Sequence, residues 1–175
     1  MPTSRLDLLR WQFDLTWSLT ELHLDALRVD DFLWAPTDSY WTVRLYADGA
    51  WRPDWADNEP DPIPLPTIGW LSWHIGWWWS AATDQLAGRP PRDRRDVHWP
   101  GDGRAAVAWL RGLRDGWIRT LDGLTESGLD KPSSFPWPAE TKLTVAHLVS
   151  WVNSELMKNV AEIGQLRLLR TASLA

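Results

Sequence analysis

The chain of 175 residues contains no cysteine. That absence removes disulfides, thiolate metal sites and cysteine nucleophiles together, and it fits a reducing compartment. Long apolar runs are also missing: no stretch approaches the roughly 18 residues of a membrane span. The N-terminal MPTSRLDLLRW lacks the basic start and apolar run of a signal peptide. A cytoplasmic protein with no membrane contact is therefore expected. Positive charge is in deficit. Lys and Arg total 18 against 23 Asp and Glu, a formal charge of −5, which argues against a nucleic-acid partner. HExxH, the Gly-rich phosphate loop and GxSxG are all absent. Tyrosine, phenylalanine and methionine are scarce, but tryptophan occurs 16 times. Indoles bury large area and carry one N–H that needs a partner. They suit a core, a small-molecule pocket or an interface equally well.

The remainder of the composition bounds the fold. At 44% hydrophobic residues, the chain can bury one sizeable core, and its length predicts a single domain over 1–175. Four segments carry helical periodicity: about 5–29, 67–86, 104–124 and 143–169. The first has an apolar stripe of Leu8, Leu9, Phe13, Leu15, Leu19, Leu22 and Ala26. Gly88, Pro90 and Pro91 end the second, and Thr141 or Thr144 can cap the fourth. Between the first two helices, WTVRLY, an Asp48-Gly49 turn and AWRPDW predict a hairpin, with Pro53 at an edge. The proline-rich NEPDPIPLPT then reads as an extended connector. The sum is an all-α four-helix bundle with a small β-hairpin and a long connector between helices one and two.

Residues 70–79, WLSWHIGWWW, hold the most unusual side chains. At about 100° per residue, Thr67, Trp70, Leu71, His74, Trp78, Ala81 and Gln85 share one face. Trp77 lies at its margin, whereas Trp73 and Trp79 point elsewhere. On the last helix the core seam contains Leu148, Val152, Leu156, Ile163 and Leu166, and Glu155 and Asn159 fall on the same seam one turn apart. Polar groups inside an apolar stripe cost free energy unless paired, and such rule-breaking is frequent at functional sites. His74 is then a metal ligand, a general base oriented by Glu155, or a core histidine bonded to Glu155. Glu155 can instead pair with Lys158 or Arg119. The residues alone leave these readings open. His23, His98 and His147 are weaker candidates.

Four blocks also carry a family resemblance: WTVRLYADGAWRPDW with PDPIPLPTIGW, then PTIGWLSWHIGWWW, WPGDGRAAVAWLRGLRDGW and VNSELMKNVAEIGQLRLLR. In this order they resemble the DinB-like family, metal-dependent four-helix bundles related to bacterial and mycothiol-dependent thiol transferases, in its actinobacterial branch. The resemblance implies a divalent metal, zinc or nickel, held by three ligands that are often histidines. It maps the first ligand onto His74 and the pair on the last helix onto Glu155 and Asn159. The family commonly has a histidine pair where this chain has Lys158-Asn159. An amide oxygen suits hard cations better than zinc or nickel, so the resemblance implies a weakened or lost metal site.

Two functions follow from these readings. The first is an enzyme of the transferase type, using a low-molecular-weight thiol or acting on a small aromatic substrate. His74 and Glu155 would be catalytic, with Trp70, Trp77, Trp78 and Asn159 binding substrate in the bundle cavity. The second is a non-catalytic protein that binds a small molecule or forms a homodimer and has lost the metal. Surplus tryptophan is the sequence argument for the homodimer.

Overall fold

A computed structural model of the protein describes residues 4–174. Among them the chain forms α1 (Arg5–Ala26), β1 (Tyr40–Trp41), β2 (Val43–Leu45), β3 (Trp51–Pro53), β4 (Leu65–Pro66), α2 (Ile68–Leu86), α3 (Gly103–Asp122) and α4 (Val145–Ala172). No helix among the described residues is long and apolar enough to cross a membrane.

Each long helix starts on a side-chain cap. Ser4 and Asp7 form a reciprocal capping box on α1. The Thr67 hydroxyl accepts from Trp70 N–H at 3.2 Å to open α2, and the Asp102 carboxylate accepts from Arg104 and Ala105 N–H to open α3. At the start of α4 the exposed His147 side chain closes on the N-cap residue Thr144: its Nδ1 accepts from Thr144 N–H at 3.2 Å. His147 is thereby occupied in holding the helix start.

Cross-helix contacts establish the order of the bundle. The Asn153 amide of α4 donates to the Leu9 carbonyl of α1 at 3.0 Å, and further along both helices His23 lies against Gly164. Those two helices are therefore parallel. Arg111 of α3 pairs with Glu21 and Asp25, whereas Arg10 reaches the Leu121 carbonyl, so α3 runs against α1. The starts of α2 and α3 both close on Phe32 at Gly69 and Gly103. Gly76 admits the Trp109 ring, because a Cβ there would lie 1.8 Å from a ring carbon.

The hairpin forms as the turn residues require. β2 and β3 pair antiparallel around Gly49, whose φ of +81° is accessible to glycine at little cost. Pro53 ends β3 opposite Val43. The connector adds a second, parallel pair, β1 with β4, which the sequence reading did not include. Both pairs lie at the start of α2: Trp41 stacks on Trp70 at 5.4 Å, and Trp70 Nε1 donates to the Asp54 carbonyl at 2.8 Å.

Two helix faces differ from expectation. On α1 the core receives Phe13, Thr16, Trp17, Thr20 and Leu24, whereas Leu8, Leu15, Leu19, Leu22 and Ala26 of the predicted stripe face solvent. The helix is apolar on two sides, so periodicity alone cannot choose between them. On α2, Trp79 is fully buried against neighbouring helices, as is Trp73, which lies beside His74 and not apart from it, because this helix is covered on nearly all sides.

Candidate functional site

The first three turns of α2 bring His74 among the indoles of its own helix. The imidazole stacks on Trp70, with centroids 4.9 Å apart and planes 13° apart. Trp77 meets it edge-on at 5.8 Å, and Trp73 is tilted toward it at 6.4 Å. Spacings of four and three residues place Trp70 and Trp77 on the turns either side of His74, whereas Trp73 is its chain neighbour. Trp55, from the loop after the hairpin, extends the cluster: it meets Trp77 at 5.7 Å and is covered by the Arg94 guanidinium at 4.5 Å. Trp55 was not singled out from sequence, and its isolated place in a loop carries no periodic signal.

His74 is half-buried. Its Nδ1 is enclosed and has no hydrogen-bond partner. Burial, reinforced by the positive charge of Lys158, lowers the pKa of the ring to about 4. At neutral pH it is an uncharged imidazole, with one nitrogen donating and the other accepting.

The candidate residues of α4 divide into two groups. Glu155 pairs with Lys158 at 2.7 Å and makes no hydrogen bond to His74. Asn159 is buried and committed on both sides of its amide: Oδ1 accepts from Trp78 Nε1 at 3.2 Å, and Nδ2 donates to Glu162 at 2.9 Å. Trp78 also packs edge-on against Trp151 at 5.5 Å. Thus Trp70, Trp77 and His74 meet, with the Lys158 charge close enough to act on the ring electrostatically. Trp78 and Asn159 meet in a separate network with Glu162. Neither the Trp78 nor the Glu162 partner was anticipated for Asn159; Glu162 lies three residues along the same helix, a spacing that permits such a bond.

The sequence profile of the DinB superfamily matches residues 12–163. The chain belongs to that family. No curated protein matches it. In this DinB-superfamily bundle the positions that the resemblance assigns to a metal are His74, Glu155 and Asn159. The donor set there does not fit a divalent ion. A lysine ammonium occupies the Glu155 carboxylate, and the amide oxygen of Asn159 already takes an indole N–H. Three protein ligands are usual for a catalytic zinc, and among the described residues no three of His, Asp or Glu gather as a metal-binding group.

Proposed function

We propose that this DinB-superfamily protein binds a small aromatic molecule beside His74 without a metal ion. The observation that carries the reading is the environment of the imidazole: stacked on Trp70, edge-on to Trp77, and with a buried Nδ1 that lacks a partner. A buried polar atom without a partner costs free energy that a ligand group can recover. Trp77 is only half-buried, so displacing its ring would open the way to the imidazole. Flat aromatic walls around a few polar groups are the usual make-up of such sites. A pKa near 4 makes His74 a weak base at neutral pH, so hydrogen bonding suits it better than proton abstraction.

The test is tryptophan fluorescence during titration with indole-class and phenol-class compounds. Saturable quenching at one ligand per chain is expected, with affinity weakened roughly tenfold in His74→Ala and in Trp77→Ala while the far-UV circular dichroism is unchanged. Equal affinity in wild type and His74→Ala overturns the reading.

A second reading is a thiol-dependent transferase that works without metal. It is favoured by the position of Lys158, whose charge acts on His74 and would stabilise a bound thiolate in the same way. Thiol-dependent turnover that survives a chelator and is lost in Lys158→Met would support it over simple binding.

A further inference from the structure

The outer face of α1 carries five large apolar side chains: Leu8, Trp11, Leu15, Leu19 and Leu22. Trp11 is 61% exposed and Leu22 67%. Scattered exposed leucines need no explanation, but a continuous row does. On a helix these five fall within about 80° of one another. Together they expose on the order of 500 Å² of apolar surface, in the upper part of the range for the largest patch on a monomer, where such patches are often functional. Two such faces supply about 1,000 Å², the lower bound for a specific interface.

The row also reads the same from both ends. Its spacings are three, four, four and three. In an antiparallel pairing about Leu15, Leu8 therefore lies opposite Leu22, Trp11 opposite Leu19, and Leu15 opposite itself. The same register places Arg5 opposite Asp25 at each end. Both side chains are more than half exposed beyond their partners within the chain, Asp130 and Arg111. A surface that complements itself in size and charge is what a two-fold interface demands. The flanks of the row, Asp7 and Asp14, are exposed acids, which disfavour an anionic membrane as the occupant.

We propose that α1 pairs with α1 of a second copy of the chain, antiparallel about a two-fold axis through Leu15. The interface is a leucine row with Trp11 as its large anchor on each side. It is separate from His74, which sits on α2.

Sedimentation velocity of the full chain tests the association, and engineered thiols test the register in a protein that has no cysteine of its own. The expected mass is twice 20.1 kDa, falling to the single-chain value in Leu15→Arg with unchanged circular dichroism. Leu15→Cys should cross-link to its own copy on oxidation. Leu8→Cys and Leu22→Cys should cross-link when mixed but not singly. If Leu15→Arg does not fold, the cross-links still decide the register. A wild-type chain of single mass at all concentrations overturns the proposal, as does binding of the row to anionic vesicles in its place. A dimer that persists in folded Leu15→Arg, or that cross-links without regard to register, also overturns it.

Discussion

At the residue scale the proposed binding site centres on one imidazole that is neutral at pH 7. His74 has an ordinary pKa near 6.5, and burial with the Lys158 charge brings it to about 4. The unfolded chain then binds a proton between those values that the folded chain refuses. Stability associated with His74 is complete above pH 6.5 and declines as pH falls toward 4, by up to about 3 kcal/mol. His23 acts in the same direction, lowered by burial and by Arg167. Urea unfolding at pH 7 and pH 5 should therefore show a loss at the lower pH that is smaller in His74→Gln. An identical loss in the variant would show that His74 titrates normally. The sequence pattern did place an asparagine and a glutamate on the α4 seam, and Asn159 is indeed buried there. It could not reveal the partners of either. An indole from another helix satisfies Asn159, whereas the long Glu155 side chain finds Lys158 one turn on.

At the element scale, helix existence was legible and helix orientation was less so. The four periodic segments and the Asp48-Gly49 turn each appear within a few residues of their expected places, because caps, prolines and turn residues are local signals. The facing of α1 was not legible. Leu8, Leu15, Leu19 and Leu22 form as regular a stripe as the buried one, and only the packing against the rest of the bundle, α4 and Trp79 of α2 above all, selects which enters the core. The contact between α2 and α3 depends on Gly76, against which the Trp109 ring lies. Gly76→Ala forces that ring aside in a close-packed interface and should destabilise the protein by about 1–3 kcal/mol. A urea midpoint shift at unchanged slope would report it. No shift would mean that the ring has room to move.

At the scale of the whole molecule, a bundle of the DinB superfamily carries its tryptophans mainly inward. Among the described residues only Trp11 and Trp55 are more than about one-third exposed. The abundance of indoles thus speaks for the core and for the surroundings of His74, whereas the surface proposed for self-association is the leucine row of α1. Two places in the bundle that the family resemblance assigns to metal ligands are engaged by other side chains, and that is the molecule's main departure from the implied chemistry. The most direct test is elemental analysis of untagged protein, purified without chelator and then incubated with zinc, nickel or manganese. The expected result is no more retained metal in the wild type than in His74→Ala. One equivalent per chain, lost in His74→Ala and in Glu155→Gln, would contradict a metal-free site and return the protein to metal-dependent chemistry.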